Sequence, residues 1–164
     1  METIAVYWEN RAKTYGFDTV RGLSLLQVST QTDGLAKIGA LLQTDNRGPC
    51  FKWVLAQPCP QGGLRLFLVL KQEDVPGMEA FINRVVVKGT AIETETTYPV
   101  ALINFHGPHF GDRYGIADAA LGTLRRKGLP ILAAGCTGAS VYLTVPDKRS
   151  ADVITILSTV FETA

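Results

Sequence analysis

His106 and His109 flank Pro108 in the stretch NFHGPHFGDRYGIADAAL, Asn104 to Leu121, and Asp112 and Arg113 follow within a turn. A histidine pair three apart serves a metal only with a third and fourth ligand, and no HExxH helix pattern accompanies this one. The two imidazoles are therefore expected on the loop surface or donating to a ligand carboxylate. Arg113 can grip an acid through two parallel hydrogen bonds. The backbone offers a third chemistry. A helix opening near Ile116 leaves unpaired N–H groups and a partial positive charge at Tyr114, Gly115, Ile116 and Ala117, which suits a carboxylate, and glycine lets the ligand approach closely. The stretch TQTDGLAKIGALL repeats the arrangement, with Asp33, Gly34, Leu35 and Ala36 at the opening turn.

Cys136 lies in AAGCTGAS, a nucleophile candidate between glycines. A nucleophile elbow needs a helix after the turn, and the next residues, SVYLTV, read as a strand. No catalytic residue is expected. Cys50, Cys59 and Cys136 are odd in number and widely spaced, so neither a disulfide framework nor a CxxC metal site fits, and three buried or inert thiols are expected.

The 164 residues are 46% hydrophobic and 19% charged, which is ordinary globular composition, large enough to bury a core. A formal charge of +1 carries no electrostatic footprint for a phosphate backbone, and no aromatic stripe alternates with Lys or Arg, so nucleic acid is not expected as a partner. Tyr7, Trp8, Phe51 and Trp53 are expected in the core or on a sheet face. The first residues form no signal peptide, and no apolar run reaches the ~18 residues of a membrane span. A cytoplasmic protein without membrane contact or cofactor is expected.

Periodicity supplies the elements that would hold these residues. GLSLLQVST (Gly22 to Thr30) reads as a strand. Leu35, Ile38 and Leu41/Leu42 fall on one helical stripe that stops by DNRGP. FKWVLAQ and LRLFLVL form a hairpin around PCPQGG, and Pro76 opens a second helix with Met78, Phe81/Ile82 and Val85 inward. TAIETETTY, from Thr90, closes a β-α-β-β-α-β order. The second half repeats it: YPVALINF, a helix with Ile116, Ala119/Ala120 and Thr123/Leu124 ending before Gly128, then PILAA and SVYLTV around GCTGA, then a helix from Pro146 and Asp147 with Val153, Ile154, Leu157, Val160 and Phe161 inward. After FETA this half is one strand short, and TIAVYW (Thr3 to Trp8) is expected to cross over and fill the gap.

Two such units with glycine loops before their first helices resemble tandem ACT domains, most closely the C-terminal regulatory region of aspartate kinases. The matching residues include Gly107, Gly115, Ile116, Ala117, Leu124, Val141, Val145 and Phe161 in the second half, and Asp33, Gly34 and Ala36 in the first. The resemblance implies an α+β fold of two ferredoxin-like βαββαβ units, antiparallel sheets with helices on one face and an N-terminal strand completing the second unit. The first unit is expected over 12–97, the second over 1–11 plus 98–164. No phosphate-cradling glycine loop followed by Lys is present, so the resemblance is to the regulatory half without its kinase domain.

It further implies a free amino acid as effector, lysine or threonine being the first to try, bound by the two helix openings. Asp33 and Asp112 would take the α-ammonium, although each also suits an N-cap or Asx-turn. Gln57, in the region that lines the effector site in that family, is polar among apolar neighbours and reads equally as an exposed edge residue. A homodimer is implied, and possibly a metabolic enzyme as partner; an interaction subunit that binds no metabolite is the alternative.

Overall fold

Strand alternation builds the first unit. In the computed structural model, which describes residues 11–44, 50–60, 62–86 and 92–163, the chain divides into a unit over Gly22–Val100 and another that includes residues 11–21 and 101–163. The division falls inside β2 (Phe17–Thr30), after Arg21, and inside β5 (Ile92–His106), after Val100.

Within Gly22–Val100, α1 (Thr32–Thr44) follows β2, then come β3 (Trp53–Pro58), β4 (Leu64–Lys71), α2 (Val75–Val86) and β5, with strand order β3-β4-β2-β5. β4 is antiparallel to both neighbours, Leu26 opposite Leu68 and Val54 opposite Leu68. Period two sends Leu66, Leu68 and Leu70, with Leu26 and Val28, to one face, where Ile38 of α1 and Val75, Met78, Phe81 and Ile82 of α2 cover them. Each such side chain removed from water stabilises the fold by about 1.5–3 kcal/mol.

The other unit carries α3 (Ile116–Arg126), β6 (Ala133–Thr137), β7 (Ser140–Pro146) and α4 (Ser150–Leu157) after β5, with β5 beside β7 and β7 beside β6. Its core joins Ala101, Ile103 and Phe105 to Val141, Leu143 and Val145 under Ile116, Ala120, Leu124, Val153 and Leu157. α3 ends as its cations and glycine predict: Gly128 (φ 67°) donates to the Arg125 carbonyl at 3.0 Å and Leu129 to the Leu124 carbonyl at 3.1 Å, a Schellman stop with Leu129 and Leu124 both in the core. Arg21 grips Asp147 with Nη2 2.7 Å from Oδ2, and this hydrogen bond, then the carboxylate's charge, holds the guanidinium above its ordinary pKa.

Five local expectations are corrected. β2 starts at Phe17 rather than Gly22, because Gly22 turns to φ 68° within the strand instead of starting it. One strand, β5, replaces the two expected around Tyr98, carrying Pro99 in a cis bond at an exposed position. The turn expected over Gly135 to Ala139 shrinks to Gly138 and Ala139, since only Gly138 takes a positive φ (61°), and β6 runs on through Cys136.

The last helix stops at Leu157 rather than reaching Phe161: the Ser158 and Thr159 hydroxyls donate back to the Ile154 and Ile156 carbonyls at 2.9 and 2.7 Å, offering the backbone an alternative to further helix. The chain then forms β8 (Phe161–Thr163), parallel to β1 (Ala12–Thr14), where no closing strand was expected. Lastly, of the buried or inert thiols expected, none is buried: Cys50 and Cys136 are exposed and Cys59 half-buried.

Residues ahead of Gly22 complete the unit that follows Val100. β1 pairs with β8, β2 lies beside β5, and the Phe17 and Phe105 rings meet at 5.2 Å. These are residues 12–21, expected in the first unit; the expected donor, Thr3 to Trp8, lies outside the described residues.

Candidate functional site

The loop between β5 and α3 is pinned from both sides. Phe110 is buried and packs edge-on against Phe105, centroids 5.9 Å apart, and against Phe161 at 5.8 Å. At Gly107 a Cβ would meet the Lys13 carbonyl oxygen at 2.0 Å, so only glycine lets the N-terminal segment pass. Above this floor His109 takes φ 66°, and its carbonyl accepts from the amides of Asp112 (3.1 Å) and Arg113 (2.8 Å). Gly115, at φ 84°, caps α3 without a side-chain hydrogen bond.

A concavity of about 170 Å³ opens at this end of α3. Arg113, Tyr114, Gly115 and Ile116, all expected site residues, line it together with Ala119. Arg11, Ala12, Val160 and Phe161 complete the lining. Among the described residues the lining brings two arginines to a helix N-terminus and includes no Asp or Glu.

The remaining expected residues lie elsewhere. Ala117 is in the same helical turn but not in the lining. Asp112 is exposed, its Oδ2 3.8 Å from His109 Nδ1. His106 is exposed, its ring 5.3 Å from that of Tyr15, and its carbonyl accepts from the Thr14 hydroxyl (2.8 Å) and the Tyr15 amide (3.0 Å), so its backbone anchors the N-terminal segment.

In the Gly22–Val100 unit, α1 begins at Thr32, and the amides of Gly34 and Leu35 both donate to the Gln31 carbonyl, at 3.0 and 3.2 Å. Asp33 pairs with Lys37 one turn on at 3.3 Å, Leu35 packs against the core, and Ala36 is exposed. Gln57 is exposed on β3 opposite Arg65. At α3 the N-cap carbonyl of Gly115 likewise accepts from the Ala119 amide at 2.8 Å, so the two openings differ in one first-turn donor, the Gly34 amide, which α1 spends on Gln31.

Of the missed residues, Arg11 was visible as a cation near the start of the chain. Ala12, Val160 and Phe161 arrive through β1 and β8, three-residue strands too short to show a period. Among the described residues no three His, Cys, Asp or Glu side chains cluster as metal ligands, and no helix is long and apolar enough to cross a membrane. Cys136 stands on a two-residue hairpin, without the helix a nucleophile elbow needs.

No family model and no curated protein matches the sequence. Solved structures do match. The regulatory subunit of aspartate kinase from Thermus thermophilus, in a ligand-free form, superposes with a TM-score of 0.75 at 11% identity over 91% of this chain and 99% of that one. The regulatory subunit from Thermus flavus gives 0.77 at 11% identity, covering 90% and 98%. Aspartate kinase from Synechocystis gives 0.75 at 16% identity; the match spans 93% of this chain and 27% of the enzyme. At such identities the likeness is one of fold, and it runs along nearly the whole chain: this protein has the tandem ACT architecture of aspartate kinase regulatory subunits.

Proposed function

We propose that this is a non-catalytic regulatory protein that binds a free amino acid as allosteric effector, seating the ligand's carboxylate at the N-terminus of α3 between Arg11 and Arg113. The observation that supports the reading is the α3 concavity, lined by Arg11, Arg113 and the uncapped opening turn of α3. A charge-assisted hydrogen bond there is worth about 1.5–3 kcal/mol. Lysine and threonine are tried first, on the strength of the fold. The ligand would bias an assembly equilibrium by its differential affinity for two states. The exposed edge strand β3, with Val54 48% exposed, suits pairing with a second copy or docking on a metabolic enzyme.

A thermal-shift screen of the free amino acids tests this. A binder at 100 times its Kd adds about 2.7 kcal/mol of stability, and Arg113→Gln is expected to abolish the shift. A flat response to every amino acid supports the interaction-subunit reading instead.

A further inference from the structure

The α3 concavity has two halves. Arg11, Arg113 and the opening turn of α3 form the polar one, while Ala12, Ile116, Ala119, Val160 and Phe161 line the rest with carbon. These five belong to the hydrophobic core of their unit or pack on it: Ile116 and Phe161 are buried within it, and Ala12, Ala119 and Val160 are its partly covered rim. At this rim the core stays open to water. A ligand side chain seated there completes the burial, and each methylene it brings out of water adds to the affinity.

The size of that side chain follows from the spacing on α3. The Ala119 amide donates to the Gly115 carbonyl at 2.8 Å, so the small Ala119 stands one helical turn, about 5–6 Å along the surface, from the turn that would hold the carboxylate. A short branched aliphatic side chain covers that step. The whole concavity, about 170 Å³, is well under the roughly 300 Å³ at which sites for drug-sized ligands begin. A chain ending in an ammonium would carry a charge into the carbon lining, where desolvation is costly without a partner. A hydroxyl set against the same carbons would forfeit its hydrogen bonds to water.

We infer that the α3 site selects an α-amino acid with a compact, branched aliphatic side chain, valine in type, over threonine and lysine, and that Ala119 and Val160 set this choice. The inference rests on the proposed seat for the carboxylate at α3 and narrows the ligand by its side chain.

Calorimetric titration of the full chain with L-valine, L-threonine and L-lysine tests it. Valine and threonine are isosteric, so their ratio reads the polarity of the wall alone. Valine is expected to bind at least about tenfold tighter than threonine, and tighter than lysine by as much or more. Val160→Thr should lower the valine-to-threonine preference at least about threefold, and Ala119→Leu, which fills the concavity, should weaken valine at least about tenfold. Far-UV circular dichroism checks that both variants keep the fold. Threonine or lysine binding as tightly as valine overturns the inference, and if that binding is lost with Arg113→Gln the α3 reading stands. Valine binding that neither Val160→Thr nor Ala119→Leu changes lies elsewhere and overturns the inference too. No binding by any of the three overturns it as well, and the thermal-shift screen then decides the α3 reading by itself.

Discussion

The openings of α1 and α3 look alike in sequence, each with an aspartate shortly before or at the first turn and a glycine beside it, yet they are built differently. At α1 the Gln31 carbonyl collects two amides and Asp33 is tied to Lys37. At α3 the glycine is left-handed, no side chain caps the turn, and an arginine stands at the rim. A glycine before a helix therefore marks a binding turn only when the donors it exposes are left unspent. The difference comes from support: the α3 loop rests on Phe105, Phe110 and Phe161, so its backbone can hold the left-handed glycine that precedes the helix.

Removing that support should have the largest effect. Phe161→Ala deletes a fully buried ring and one wall of the concavity. A loss of about 3–5 kcal/mol is expected, together with any amino-acid response of the α3 site, measured by urea unfolding with and without ligand; wild-type ligand response in the variant would mean the aromatic floor does not shape the site. Next comes Gly107→Ala, whose new methyl would collide with the Lys13 carbonyl, against Gly111→Ala in the same loop, which meets nothing within 4 Å. The first should cost about 1–3 kcal/mol and the second stay within about 0.5 kcal/mol of wild type; equal midpoints in denaturant would remove the close-approach argument.

The smallest effect contrasts the two helices directly. Gly115→Ala forces a left-handed φ on a residue with a Cβ, at about 1–2 kcal/mol. Gly39→Ala, inside α1 with open space around it, should instead stabilise by about 0.5–1 kcal/mol. Thermal melts of the two variants that moved in the same direction would show that the α3 cap is not strained toward glycine.

Much of this architecture was legible because its signals are local. Alternating leucines announced β4, the proline marked the start of α2, and the Arg-Arg-Lys-Gly run announced the end of α3. What escaped depends on partners distant in sequence. Gly22 and Pro99 read as punctuation, yet both sit inside long strands whose pairing outweighs a single residue's preference. Phe161 read as the end of a helical stripe, and only the partner strand at Ala12–Thr14 shows why it is extended. For the site, the residues contiguous in sequence, Arg113 to Ile116, were found, and those delivered by the short strands were not.

The β1·β8 ladder joins segments roughly 150 residues apart along the chain, among the costliest loops this polypeptide can close and so among the last contacts to form during folding. With only three residues on each strand, it is also a place where fraying is cheapest. Since both strands contribute wall residues to the α3 concavity, a molecule resting there would act as a clasp on the most far-reaching contact in the chain. Occupancy would then register first as slowed amide hydrogen exchange at that seam, before any change in the helices.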